Sequence, residues 1–149
     1  MKCIPLILIF ILLAGIFSGC QAQAQPAQIA VTTLPVYEFT NRLCDGTGLT
    51  VTQLVNESVS CLHDYSLNVR QVRTVEAADL VVISGAGLEE FMKDLLESKT
   101  VIDSSTNIAL LECHEHHHEE DHHHHHEVDS HIWLDPNNAL TMAQNICQG

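Results

Sequence analysis

Cations are scarce in this chain: six lysines and arginines stand against nineteen aspartates and glutamates, a formal charge of -13 over 149 residues. Binding of phosphate backbones needs clustered Lys and Arg, so nucleic acid is excluded as a partner, whereas an acidic surface suits solubility and the attraction of cations. No apolar run reaches the roughly 20 residues that span a bilayer comfortably. The longest, Ile4 to Phe17, falls short. The cysteines have no CxxC spacing, and nothing in the sequence assigns a pairing to Cys44, Cys61, Cys113 and Cys147, so buried or half-buried thiols are the expectation. No repeat is visible beyond an alternation of strand-like and helix-like segments. What remains is 46% apolar content, enough for the core of one domain.

Residues 1–20, "MKCIPLILIFILLAGIFSGC", have the form of an export signal: Lys2, the apolar run, then the small residues Ser18 and Gly19. The ending "FSGC" resembles a bacterial lipobox, with Phe17 where Leu is usual, and makes Cys20 the expected lipidation site and the first residue of the mature protein. An uncleaved membrane anchor is the alternative; either way the rest is exported. Residues 21–28, "QAQAQPAQ", are small, polar and Pro-containing, as expected of a flexible tether.

Folded sequence is expected from Ile29. "IAVTTLPV" and the alternating "LTVTQLV" read as strands, with "YEFTNRLCDG" between them as a short helix stopped by Gly46. A helix follows with Ser66 as its predicted N-cap. "DLVVIS" is a continuous apolar strand of the kind buried on both faces of a parallel sheet. "GAGLEEFMKDLLES" is predicted as a turn into an amphipathic helix, and "TVID" as a fourth strand. The order βαβαβαβ predicts an α/β fold, a parallel four-stranded βα lobe over residues 29–135, whose ligands bind at the carboxyl ends of the strands. Asp135 and Pro136 then fit the N-cap and first position of a last helix, residues 136–149. Its stripe of Ala139, Met142, Ala143, Ile146 and Cys147 is expected to seek a partner.

Within this plan lies "HEHHHEEDHHHHH", residues 114–126, nine histidines and four acids without one apolar side chain. Such a segment cannot fold by burial. Its neutral imidazoles, His114, His116, His117, His118, His122, His123, His124, His125 and His126, bind zinc, copper or nickel through many alternative ligand sets, giving capacity without one geometry. A solvated charged loop is the plainer alternative. His114, Glu115 and His118 formally spell HExxH, but that zinc-protease motif needs a buried helix, and no apolar stripe flanks it; no enzyme activity is expected. Two histidines stand apart. His63 in "CLHDYSL" and His131 in "SHIWLDP" follow strand-like segments, and alone each would more often be a structural hydrogen-bonding residue. Two of them on one α/β sheet, beside a metal-gathering loop, point to a fixed imidazole site suited to zinc.

"HDYSL", then "VEAADLVVISGAGLEEFM", then a His-rich acidic loop, then "HIWLDPNNA", in that order, resemble the zinc and manganese solute-binding proteins of bacterial ABC importers, the cluster A-I receptors. The resemblance runs from about Ile29 to the end. It implies an N-terminal lobe of a two-lobed receptor that captures a metal ion and delivers it, without bond chemistry, to the importer's membrane permease. It makes His63 and His131 that lobe's ligands, the loop an auxiliary zinc-collecting site, and the helix from Pro136 the start of the connection between lobes. Zinc is favoured over manganese by the loop. Leu62 stands where many zinc receptors carry Glu, so no auxiliary carboxylate is expected there. The second lobe, with its further ligands, is expected to be absent from this chain. A stand-alone zinc buffer or metallochaperone working through the loop is the alternative function.

Overall fold

The computed structural model describes residues 27–56, 62, 65–112 and 128–149. Four strands, β1 (Gln28–Val31), β2 (Thr50–Gln53), β3 (Leu80–Ile83) and β4 (Val101–Asp103), form one parallel sheet in the order β2-β1-β3-β4. The register pairs Ile29 with both Val51 and Leu80, and Val82 with Ile102. The expected architecture is therefore the observed one.

Side chains alternate across the sheet and build a core on each face. On one face Ile29, Val31 and Val82 pack with Val36, Ile132, Met142 and Ile146. These come from helix α1 (Leu34–Leu43), a 3₁₀ turn (Ile132–Leu134) and the final helix α4 (Pro136–Gln148). On the other face Ala30 and Val81 pack with Leu54, Val75, Ala78 and Met92, covered by α2 (Val69–Ala77) and the short α3 (Lys93–Leu96).

Three local expectations are corrected. The N-cap of α2 is Asn68, not Ser66: its side-chain Oδ1 accepts from the Gln71 backbone N–H at 3.0 Å while Gln71 Oε1 accepts from the Asn68 backbone N–H at 2.8 Å, a reciprocal box that satisfies two orphan donors. The Gln71 side chain also donates to Leu54 O and to the Tyr65 hydroxyl, both at 2.7 Å, a tertiary reward that Ser66 could not offer. The predicted amphipathic helix after β3 is broken into a 3₁₀ turn (Glu90–Met92) and the single turn of α3. Its start is diverted by a tight turn in which Gly85, Ala86 and Gly87 all have positive φ. Finally, the stripe on α4 is not left without a partner: Met142 and Ile146 are buried against the sheet and α1, and only Cys147 of the stripe is exposed. The Asp135 cap is as expected, accepting from the Asn137 amide at 2.7 Å with Pro136 starting the helix.

Candidate metal centre

In an all-parallel sheet the carboxyl ends of the strands share one edge, and here that edge carries the polar residues of the lobe. β1 runs into Thr32 and Thr33, β3 into Ser84, and β4 into Ser104, all buried. Ser104 Oγ donates to Ser84 O at 2.9 Å, and the Asn145 side-chain amide, from α4, donates to Ser104 O and Thr106 O at 2.8 Å each.

His131 reaches this edge through its neighbours. Val128 forms an antiparallel bridge with Glu112, and the Asp129 amide donates to Leu111 O at 2.8 Å, so the two ends of segment 113–127 are drawn together. Ile132 then anchors the chain in the cluster that holds Val36, in the first turn after β1, and Ala86, three residues past β3. Between these fixed points the His131 side chain stands 61% exposed. Its ring lies 5.3 Å from that of Trp133, tilted by 59°, and its Nδ1 is 2.8 Å from Asp129 Oδ1. The same oxygen accepts from the His131 backbone N–H at 2.9 Å. These two hydrogen bonds, the backbone one first, hold the Asp129 carboxyl below the usual carboxylate range.

This contact determines the tautomer. An ionised carboxylate only accepts, so the proton of the neutral imidazole sits on Nδ1 and the lone pair on Nε2. Nε2 has no partner among the described residues. A histidine donating one ring N–H to a carboxylate and offering the other nitrogen is the usual arrangement of a metal-ligating imidazole.

His63 lies outside the described residues, as do Cys20 and the histidines at 114, 116–118 and 122–126. The flanks of His63 are described: Leu62 packs on the α2-side core, and the Tyr65 ring meets Phe91 edge-on at 5.4 Å. Among the described residues no three His, Cys, Asp or Glu side chains converge as a metal site, and no helix is long and apolar enough to cross a membrane. Among the described residues the cysteines, Cys44 and Cys147, are free thiols; burial pushes that of Cys44 up.

Two groups at the edge escape a reading by residue type. Asp129 is one, although its place two residues before His131 is the spacing of a carboxylate that bonds its own backbone two residues on. Glu89 is the other. Its carboxylate is buried, accepting from Thr32 Oγ1 at 2.6 Å and from the amides of Ser84 and Gly85 at 2.8 and 3.0 Å. Burial raises the pKa of this carboxyl above the usual carboxylate range, against the opposing pull of those three bonds.

The class of protein is thus a parallel α/β lobe with buried polar groups at its strand ends and an exposed, carboxylate-oriented imidazole. Residues 29–149 match the family described as zinc-uptake complex component A, periplasmic, and the chain belongs to that family. A zinc-binding protein AdcA of Streptococcus pyogenes is 26% identical over 137 residues, covering 80% of this chain and 26% of its own length. Zn(II)-bound AdcA from Streptococcus pneumoniae aligns with a TM-score of 0.64 at 26% identity, over 81% of this chain and 25% of that one. The metal-dependent lipoprotein YcdH from Bacillus subtilis aligns with a TM-score of 0.65 at 25% identity, over 80% of this chain and 42% of that one. The chain thus spans about a quarter of the length of the curated relatives it matches.

Proposed function

We propose that the chain is the metal-capturing N-terminal lobe of an extracytoplasmic zinc receptor that hands its ion to the membrane permease of an ABC importer. The observation that carries this reading is the His131 imidazole, its Nδ1 engaged by Asp129 and its Nε2 without a partner among the described residues, in a chain of the zinc-uptake family. His63 is the second ligand, and the histidines of residues 114–126 are an auxiliary, low-specificity site. The similarity to AdcA, solved with Zn(II), supports zinc as the cargo in preference to manganese. Zinc usually takes four ligands, so two imidazoles must be joined by others. Capture and release make and break no covalent bond of a substrate. Export, with Cys20 as the lipidated tether point, accords with the described family location and with the likeness to a lipoprotein.

The test compares His131→Ala with deletion of 114–126 in zinc titrations against a competing chelator. His131→Ala should weaken binding of the tight ion far more than the deletion, which should remove only several weaker ones; equal effects on the tight ion undo the division of roles. The density of histidine in the loop favours one other reading, a zinc buffer. Under it, stoichiometry falls with the loop and is indifferent to His63.

A further inference from the structure

Resting on the reading above, we infer that Glu89 is a positioning residue for zinc capture: its buried carboxylate fixes the turn after β3 that seats the His131 segment. Glu89 is 5% exposed, and it is held by Thr32 Oγ1 at the end of β1 and by the amides of Ser84 and Gly85 at the end of β3. It therefore ties two neighbouring strand ends together at the edge where the metal is taken. Among the described residues no cation partners it, and three converging donors satisfy it in place of one.

The turn that it holds is one the chain would not adopt unaided. Gly85, Ala86 and Gly87 have φ of +83°, +54° and +79°, and the middle residue carries a Cβ. Such backbone persists where its surroundings over-determine it. They do so from two sides. Glu89 accepts from the amides of Ser84, just before the turn, and of Gly85, its first residue, and Ser105 Oγ accepts from the Ala86 amide at 3.0 Å while itself donating to Asp103 at 2.7 Å. A Cβ on Gly85 would collide with Asp103 and Ser105, so the turn lies flat against the end of β4.

The consequence reaches both histidine segments. Ala86 shares a buried cluster with Ile132, the residue after His131. Phe91, two residues past Glu89, meets Tyr65, two residues past His63. Holding the turn thus holds supports of both imidazole-bearing segments, whereas the Glu89 carboxylate itself is buried, takes three protein donors and acts through the turn, not as a ligand.

The experiment is a double-mutant cycle on the full chain, reading zinc affinity by competition with a chelator tight enough to silence the loop. Glu89→Gln replaces one acceptor oxygen by a donor facing backbone amides. It should raise the zinc Kd about tenfold in the wild-type background, in line with losses of outer-shell support, and leave it unchanged within twofold when His131→Ala is already present. The same factor in both backgrounds, or none in the wild type, overturns the inference. Should Glu89→Gln fail to fold, Thr32→Val removes one of the three donors and is read in the same cycle, with about a threefold rise expected and the same criterion applied. If His131→Ala alone leaves the tight zinc untouched, the zinc-site reading itself fails, and this inference falls with it by a separately visible result.

Discussion

Removing the Asp129 carboxylate is the most direct probe of how the structure prepares His131. Asp129→Ala abolishes two hydrogen bonds, to the His131 backbone N–H and to Nδ1, without touching Nε2, the nitrogen proposed to take the metal. Outer-shell partners of ligating histidines are typically worth about 10- to 100-fold in metal affinity. Here the pair is open to water, with the histidine 61% and the aspartate 43% exposed, so the lower figure applies. The expectation is a zinc Kd raised about tenfold. Asp129→Asn keeps a carbonyl acceptor in place but loses its charge; a neutral bond has roughly half the strength, giving about a threefold loss. Stability should hardly respond, since this exposed substitution opens no cavity and strands no buried polar group. Isothermal titration against a chelator, with a urea melt of each variant, reads both quantities. An unchanged Kd in Asp129→Ala, beside a large loss in His131→Ala, would refute the claim that the carboxylate orients the ligand.

The remaining predictions concern the lobe that carries the site. Met142 is fully buried in the cluster with Val31, Val36 and Val82, so Met142→Ala should cost about 3 kcal/mol in urea unfolding followed by circular dichroism. A loss under about 1 kcal/mol would mean that α4 is not part of this core. Glu89 sets a pH dependence whose sign can be worked out. Its folded-state pKa lies above the unfolded value near 4.5, with the Asp103 charge adding a small push in the same direction. Between those two values the folded state keeps a proton that the unfolded chain has lost, so stability contributed by this group falls as pH rises through that window and levels off above it. The difference in urea midpoint between wild type and Glu89→Gln should therefore shrink or reverse with rising pH from about 4.5; a difference that grows would show that the three bonds outweigh the burial.

The sheet was legible because its strands obey a simple contrast. "DLVVIS" is apolar on both faces and becomes β3, flanked on both sides by strands, whereas "LTVTQLV" alternates and becomes the edge strand β2. Asp135 and Pro136 likewise combine two independent signals of a helix start, and the structure starts α4 there. Where the reading fell short, a long-range contact decided. Ser66 and Asn68 are comparable caps by propensity, and the choice fell to Asn68 because Gln71, three residues on, can also reach Leu54 and Tyr65. The helical period of "LEEFMKDLL" is genuine, yet Glu89 is drawn back to bind the end of β3, and the first turn is lost to that bond. His131 could be singled out by its setting; Asp129 and Glu89, which give the setting its geometry, are two of nineteen acids and acquire meaning only from what they touch.

A fixed imidazole and a run of nine have different physical capabilities, and the difference bears on how such a receptor could be both quick and selective. Imidazole donors by themselves follow the intrinsic order of divalent metals, holding copper and nickel at least as well as zinc, so a run of interchangeable histidines gathers cations without choosing among them. Choice requires donors whose directions are set in advance. The Asp129 contact removes the freedom of His131 to present either nitrogen, and the Trp133 ring beside it and the buried Ile132 after it restrict where that nitrogen points. Under the proposed function the run then governs how much metal is held near the edge of the sheet, and the fixed His131 governs which ion stays. Each can fail without the other: loss of the run lowers capacity at unchanged selectivity, while a slackened His131 keeps capacity and admits the wrong ion.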